Sequence, residues 1–197
     1  MPVPHDVVAT LVAAVESAPA GLGATRLVCV DGPAGSGKTT LAAALAPHLG
    51  AQVVHMDDLY EGWVGLERGP ERLLEWVLEP LAAGRPGRYR RYDWGLGRYV
   101  ERHTVPLGDV LLVEGVGSAS LVAEPFAPFV VWVEAPEDVR LARGLARDGA
   151  ALEGEWRRWM VDESAHHRAH RTRERADVVL DGEGRVVGGR AAGTAER

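Results

Sequence analysis

A glycine-rich loop at residues 32–39 constrains the fold of this chain more than any other feature. Its sequence, Gly-Pro-Ala-Gly-Ser-Gly-Lys-Thr, fits the pattern G-x-x-x-x-G-K-[ST] at every fixed position. Glycines let backbone N–H groups turn inward around phosphate oxygens, and a helix that follows adds the positive end of its dipole. An apolar run at 26–30 precedes the loop and an alanine- and leucine-rich stretch at 39–49 follows it. This order of strand, loop and helix predicts a phosphate loop that binds a nucleoside triphosphate.

The lysine of this phosphate loop, Lys38, is the only lysine among the 22 lysine and arginine residues of the chain. Its retention in an arginine-rich chain indicates a need for the compact charge of an ammonium group rather than a planar guanidinium. We expect Lys38 to neutralise the terminal phosphates of ATP and the Thr39 hydroxyl to bind Mg²⁺. The predicted nucleotide-binding residues are Gly32, Ala34, Gly35, Ser36, Gly37, Lys38, Thr39, Thr40 and Arg140.

Short apolar runs alternate with helical patterns along the rest of the chain. The predicted strands are residues 26–30, 52–56, 110–114, 129–133 and 177–180, and the predicted helices are 7–17, 39–49, 71–83, 137–147 and 152–175. This alternation predicts an α/β fold of the P-loop NTPase type, a mainly parallel sheet between helices on both faces. We expect one domain over 1–197, with a helical lid at about 140–175 and a flexible tail at 188–197.

Carboxylates stand at the ends of two predicted strands. Ligands of such sheets bind beyond the carboxyl ends of the strands, so Asp57 and Glu114 are expected to face the phosphates. Asp57 can accept the proton of a substrate hydroxyl that attacks the γ-phosphorus, with a helix cap as the alternative role. Glu114 ends an unbroken apolar run and is the candidate that orders the magnesium shell together with Thr39.

Three arginines, Arg140, Arg143 and Arg147, are spaced three and four residues apart and share one face of a predicted helix. They form either a solvated basic face or part of a lid that contacts ATP and the transferring phosphoryl group. We predict catalytic roles for Arg143 and Arg147, together with Lys38 and Asp57.

The segment at residues 85–103 interleaves arginines with aromatic residues. Such a pattern can bind single-stranded nucleic acid by stacking, or grip a small anionic or planar acceptor. The net charge of -6 disfavours nucleic acid and favours the small acceptor. A chain without asparagine and with one lysine also lacks the Asn-Lys-x-Asp motif of Ras-type GTPases and the catalytic-loop asparagine of protein kinases.

The order of these motifs resembles the uridine kinase and phosphoribulokinase family of P-loop kinases, which includes pantothenate kinase. The matching motifs are the phosphate loop, Met-Asp-Asp-Leu-Tyr at 56–60, Arg-Tyr-Asp-Trp at 91–94, Val-Glu-Gly at 113–115 and the arginine helix at 140–148. The resemblance implies transfer of the γ-phosphate of ATP to a hydroxyl of a small metabolite, with a nucleoside as one candidate. It places Asp57 as the catalytic base, Arg143 and Arg147 in the lid, and Tyr92 in the acceptor pocket. The predicted substrate-binding residues are Tyr60, Arg91, Tyr92 and Arg98. An ATPase module that binds nucleic acid or a protein partner is the alternative.

Two pairs on the last long helix, His166 with His170 and Glu163 with His167, have a spacing that suits zinc. Without a nearby cysteine or a third ligand, a solvated polar helix is the preferred interpretation. The chain also lacks an uncharged stretch of about 18 to 20 residues, which predicts no membrane partner and a cytoplasmic location. The sequence does not indicate an oligomeric state.

Overall fold

The computed structural model describes residues 3–190 of the chain. Within this range, seven α-helices and eight strands are formed. The helices are α1 (His5–Ser17), α2 (Lys38–Leu49), α3 (Arg68–Leu73), α4 (Glu79–Ala82), α5 (Glu137–Asp148), α6 (Glu153–His170) and α7 (Thr172–Arg175). The strands are β1 (Arg26–Asp31), β2 (Gln52–His55), β3 (Gly87–Asp93), β4 (Arg98–Val105), β5 (Val110–Glu114), β6 (Phe129–Val133), β7 (Val178–Leu180) and β8 (Val186–Gly188). A π-helical turn joins α3 to α4, so the helix predicted at 71–83 is one continuous helical segment.

The central sheet has the strand order β2-β5-β1-β6-β7-β8 within the described residues. Neighbouring strands run parallel from β2 to β7, and β8 is antiparallel to β7. In this register Glu114, the last residue of β5, lies beside Val30 on one side and His55 on the other. The ends of β1, β2 and β5 therefore bring the phosphate loop, Asp57 and Glu114 to one edge of the sheet, as predicted.

Helices cover both faces of the sheet because its strands are apolar on both sides. Val28 and Val30 of β1 pack into a core with α1 and α2, whereas Leu27 and Cys29 pack into a second core with the α3–α4 segment. Full burial of each such side chain contributes about 1.5–3 kcal/mol relative to exposure. The predicted three-layer α/β fold is confirmed.

A β-hairpin formed by β3 and β4 was not predicted. It stands apart from the central sheet as a two-stranded antiparallel ribbon. Its cross-strand pairs include Tyr89 with His103 and Arg90 with Arg102. Tyr89 is buried, whereas Arg90 and Arg102 are exposed, so these two cross-strand pairs lie on opposite faces of the hairpin.

Two further predictions concern the tail at residues 188–197 and the absence of a membrane-spanning helix. Residues 188–197 were predicted to be a tail, but Gly188 is the last residue of β8 and residues 191–197 lie outside the described part. None of the helices in residues 3–190 combines the length and the apolar character that crossing a bilayer requires.

Candidate active site

A cavity of about 810 Å³ opens at the edge of the sheet where β1, β2 and β5 end. The predicted site residues that line it are Ala34, Gly35, Ser36, Gly37, Lys38, Thr39, Thr40, Asp57, Arg91, Tyr92, Glu114, Arg143 and Arg147. Within the described residues, its walls do not include Gly32, Tyr60, Arg98 or Arg140. Most of the predicted nucleotide, magnesium and catalytic residues therefore face one space.

The backbone of the phosphate loop requires glycine at two positions. Gly32 has a φ of 138°, and a Cβ atom there would lie 2.1 Å from the carbonyl oxygen of Val133. Gly35 has a φ of 79°, and its Cβ would lie 2.7 Å from the carbonyl oxygen of Arg140. Inside the loop, the Lys38 ammonium donates to the Pro33 carbonyl oxygen at 2.9 Å. The loop therefore packs tightly against β6 and α5, and the Lys38 ammonium group hydrogen-bonds back to the loop backbone.

Two oxygen-bearing side chains meet where Mg²⁺ binding was predicted. The Thr39 hydroxyl donates to Oε1 of Glu114 at 3.0 Å, and Nδ1 of His55 lies 2.7 Å from the same oxygen. The hydrogen bond to Glu114 raises the pKa of His55, although partial burial opposes the shift. Hydroxyl and carboxylate oxygens are ligands that Mg²⁺ prefers, and Mg²⁺ keeps several waters besides one or two carboxylates. The hydroxyl oxygen of Thr39 and the carboxylate of Glu114 therefore fit Mg²⁺ as ligands.

Asp57 lies in a short 3₁₀ turn, Met56–Asp58, directly after β2. Its side chain is exposed to the cavity, whose walls surround it. Partial desolvation by these walls raises the pKa of Asp57, and the negative charge of Glu114 raises it further, against the opposite effects of Lys38 and Arg147. The turn has no side-chain cap, so the alternative role of Asp57 as a cap is without support.

An aromatic wall, formed by Trp63, Trp94, Trp156 and Trp159, bounds the other side of the cavity. The ring centroid of Trp63 lies 5.4 Å from Trp94, 5.9 Å from Trp156 and 6.0 Å from Trp159, all edge to face. The Trp94 indole N–H donates to the backbone carbonyl of Asp57 at 3.0 Å, which links the wall to the turn that carries Asp57. Trp63 was not predicted as a site residue because its loop has no helical or strand periodicity. The sequence feature that could have indicated it is a tryptophan close to two glycines.

The three arginines of α5 have different partners. Arg143 donates to the Gly35 carbonyl oxygen at 3.1 Å, so it contacts the phosphate loop directly. Arg147 binds both carboxylate oxygens of Asp148, at 2.7 and 2.9 Å, and its guanidinium lies 5.7 Å from the ring centre of Trp156. Arg140 is buried. The alternative prediction that this helix presents a wholly solvated basic face is therefore wrong.

Two predicted nucleotide-binding residues are engaged elsewhere. The Ala34 amide donates to Oε2 of Glu163 at 2.7 Å, and Arg140 donates to Oε1 of Glu163 at 2.8 Å. Arg140 also donates to the Ala34 carbonyl oxygen. Both peptide groups of Ala34 and the guanidinium group of Arg140 thus belong to a hydrogen-bonded network with Glu163 that supports the phosphate loop.

The predicted acceptor residues divide into two groups. Tyr92 lines the cavity, and so does Arg91, whose guanidinium binds Glu101 at 2.8 and 3.2 Å. Tyr60, in contrast, is fully buried and its hydroxyl donates to the Val116 carbonyl oxygen. Arg98 is exposed at the end of the hairpin. The structure therefore does not bring Tyr60 or Arg98 to the cavity, which corrects their prediction as substrate-binding residues.

The prediction of a solvated polar helix at α6 is wrong, because Glu163 and His166 are buried. A third group also joins the histidine pair, since Oε1 of Glu67 lies 3.2 Å from Nδ1 of His166 and these two residues cluster with His170. However, the Leu121 amide donates to Nδ1 of His170 at 3.1 Å. A neutral imidazole that accepts there carries its proton on the other nitrogen. A metal ion would have to displace this bond, so the geometry favours a hydrogen-bonded cluster.

Comparison with known proteins gives two kinds of match, and no protein-family model matches the chain. The chain is 31% identical over 130 residues to a cytidylate kinase from Pseudomonas aeruginosa (strain UCBPP-PA14), covering 64% of this chain and 57% of that protein. It is also 31% identical over 128 residues to a cytidylate kinase from Natronomonas pharaonis, covering 64% and 61%. The chain thus spans less than two thirds of the length of these relatives.

A solved structure of a possible uridine kinase from Bacillus stearothermophilus matches nearly the whole fold. Its TM-score is 0.65 at 26% identity, and the match covers 89% of this chain and 98% of that one. The predicted resemblance to P-loop kinases of the uridine kinase type is confirmed.

Proposed function

We propose, from this resemblance to P-loop kinases, that the chain transfers the γ-phosphate of ATP to a hydroxyl of a small, uncharged metabolite. The observation that carries the proposal is one shared cavity, in which the Asp57 carboxylate faces Lys38 and the Thr39–Glu114 pair. An aromatic wall closes the same space on the acceptor side. ATP as the donor accords with the cytoplasmic location predicted from the sequence.

The phosphate loop and the turn between β7 and β8 define the donor side. Phosphates of ATP would lie on the loop amides and Lys38, and the nucleoside would extend toward Val3, Leu180 and residues 181–184 at the other end of the cavity. The Ser36 hydroxyl is buried there without a hydrogen-bond partner in the described part of the chain. Thr39 and Glu114 would hold Mg²⁺, which when bound neutralises charge on the β- and γ-phosphates.

Asp57 would act as the general base on the acceptor hydroxyl. Its raised pKa brings a carboxylate closer to the proton affinity that proton abstraction near neutral pH requires. Arg143 and Arg147 lie on the same helix face, at the loop and at the cavity wall respectively. Guanidinium groups in these positions would stabilise the negative charge of the transferring phosphoryl group once they leave their present partners.

The charge balance on the acceptor side supports an uncharged acceptor. On the hairpin side of the cavity, Arg91 is neutralised by Glu101 and Asp93. A nucleoside monophosphate would need guanidinium groups that are free to bind its phosphate. The indole rings of Trp63 and Trp94 instead offer faces and edges to a planar, neutral group, so a nucleoside or an aromatic alcohol is the favoured class.

The hairpin bears on the alternative of a nucleic-acid-binding module. Stacking of bases requires exposed aromatic faces. Tyr89 and Tyr92 are buried, and the exposed face of the hairpin carries arginines such as Arg88 and Arg90, whereas the exposed Trp94 belongs to the wall of the cavity. The buried tyrosines disfavour stacking on the arginine face, where a salt-dependent electrostatic attraction remains.

ATP consumption measured over an acceptor panel tests the proposal. The panel contains nucleosides, aromatic and aliphatic alcohols, sugars and nucleoside monophosphates. We expect turnover above the rate without acceptor for a neutral alcohol, and a loss of about 10²–10⁴-fold in Asp57→Asn. Asp6→Asn, an exposed carboxylate on α1, serves as the matched control. If no acceptor raises ATP consumption, the proposal is wrong, and preference for a monophosphate would overturn the uncharged acceptor.

A further inference from the structure

Helix α6 lines the cavity through Trp156 and Trp159, and further along the same helix it contacts the phosphate loop. Its contact residues, Glu163 and His167, are four residues apart and so lie on one face of the helix. Only 1% of the Glu163 surface is exposed. A carboxylate buried to this degree is costly unless it is paired and hydrogen-bonded, and burial raises the pKa of Glu163 despite the Ala34 amide and the nearby cations. Its partners therefore decide what it does.

Glu163, Ala34 and Arg140 form a closed hydrogen-bonded ring. One oxygen of Glu163 accepts the Ala34 N–H at 2.7 Å and the other accepts Arg140 at 2.8 Å. Arg140 completes the ring by donating to the Ala34 carbonyl oxygen at 3.2 Å. Ala34, the third residue of the phosphate loop, is therefore held through both of its peptide groups.

His167 holds the beginning of the loop in a similar way. Its Nε2 lies 3.2 Å from Oδ1 of Asp31, and the same carboxylate accepts the amides of Gly32, Gly117 and Ala119 at 2.7 to 3.0 Å. Burial would raise the pKa of Asp31, but the His167 hydrogen bond and charge and the amide hydrogen bonds outweigh burial and lower it. Helix α6 thus supports the loop at its first and third positions.

We propose that Glu163 is a positioning residue that fixes the phosphate loop in its nucleotide-binding conformation and links it to the first turn of α5. A carboxylate suits this role because both of its oxygens accept from donors. Glutamine can accept at only one oxygen, and its NH₂ group would face another donor. The proposal deepens the kinase function proposed above and rests on it for the identity of the loop's ligand.

Calorimetric titration with Mg·ATP tests the effect on the loop. We expect Glu163→Gln to weaken nucleotide binding at least about tenfold, because Arg140 loses its anion and can displace the Ala34 contact. Glu153→Gln makes the same chemical change on the same helix, where the carboxylate pairs at the surface with Arg157. This control should stay within about twofold of the wild type. Equal affinity of Glu163→Gln and the wild type would overturn the proposal.

Arg140→Gln, alone and combined with Glu163→Gln, separates positioning from direct contact. The double variant keeps an acceptor for the Ala34 N–H and a donor for its carbonyl without an unpaired charge, so we expect it to recover most of the lost affinity. If Arg140→Gln weakens binding as much and the double variant recovers nothing, Arg140 contacts the nucleotide itself. That result would overturn a purely supporting role for the Glu163–Arg140 pair.

Amide hydrogen exchange at Ala34 tests the contact without any nucleotide. Exchange should be at least about tenfold faster in Glu163→Gln than in the wild type, while amides of β5 keep their rates. If Glu163→Gln does not fold, the double variant provides the comparison, and Ala34 exchange should stay slow there. Unchanged exchange at Ala34 in a folded Glu163→Gln protein would refute the positioning role. Failure of the wild type to bind Mg·ATP would instead refute the kinase function, and the exchange result would still decide on Glu163.

Discussion

Replacing Gly144 with alanine should destabilise this protein, although alanine is the better helix former. An added Cβ atom at Gly144 would lie 2.4 Å from two atoms of the Trp156 ring, well inside van der Waals contact. Trp156 is 1% exposed and its indole N–H donates to Asp148 at 3.1 Å, so the ring cannot turn away freely. Helix propensity favours alanine by about 1 kcal/mol. Overpacking costs about 1–3 kcal/mol, and the fixed ring places it at the upper end, which leaves a net loss of about 2 kcal/mol.

Urea unfolding monitored by circular dichroism measures this loss. With a slope of about 2 kcal/mol per M, the midpoint should fall by about 1 M. Gly154→Ala on α6 is the matched control, because its new Cβ would have nothing within 4 Å and it should gain up to about 1 kcal/mol. A Gly144→Ala protein that is as stable as the wild type would refute the close α5–α6 contact. Because Trp156 also lines the cavity, a folded Gly144→Ala protein should show altered acceptor affinity.

Three further predictions concern the site itself. Lys38→Arg should reduce phosphoryl transfer by at least about 10²-fold in steady-state assays, because a planar guanidinium does not replace the ammonium inside the loop; near-normal turnover would contradict this. Asp31→Asn should lower the free energy of unfolding by about 3 kcal/mol at neutral pH, since at least one buried donor loses its acceptor. The pKa of Asp31 is lowered on folding, so its contribution is present above the unfolded pKa of about 3.9 and is lost as the pH falls through the folded pKa. Denaturation across pH should therefore show the wild type and Asp31→Asn converging in acid. The raised pKa of Asp57 predicts that turnover declines, as the pH is lowered, at a higher pH than an ordinary aspartate would give, and a profile flat down to pH 4 would contradict it.

The central sheet could be predicted because its strands are aliphatic and uninterrupted. Residues 110–114 and 129–133 were predicted with the bounds that β5 and β6 have in the structure. The β3–β4 hairpin was missed for a physical reason. Arg88, Tyr89 and Arg90 alternate between exposed and buried positions, but the strand register shifts between Arg90 and Tyr92. The segment therefore lacks the sustained alternation of apolar and polar residues that indicates a half-buried strand.

The contacts between α6 and the phosphate loop also could not be predicted from the sequence, but for a different reason. Periodicity compares side chains along one helix, whereas the main partner of Glu163 is a backbone N–H that lies 129 residues away in the chain. Every residue except proline has such an amide, so the sequence at Ala34 does not show that its N–H donates to a buried carboxylate. The loop motif specifies the groups that face the phosphate, but it does not specify which helix packs against the loop and supports it. The role of a charged residue on a helix of mostly polar sequence is therefore ambiguous until the fold shows whether the residue faces water or a loop amide.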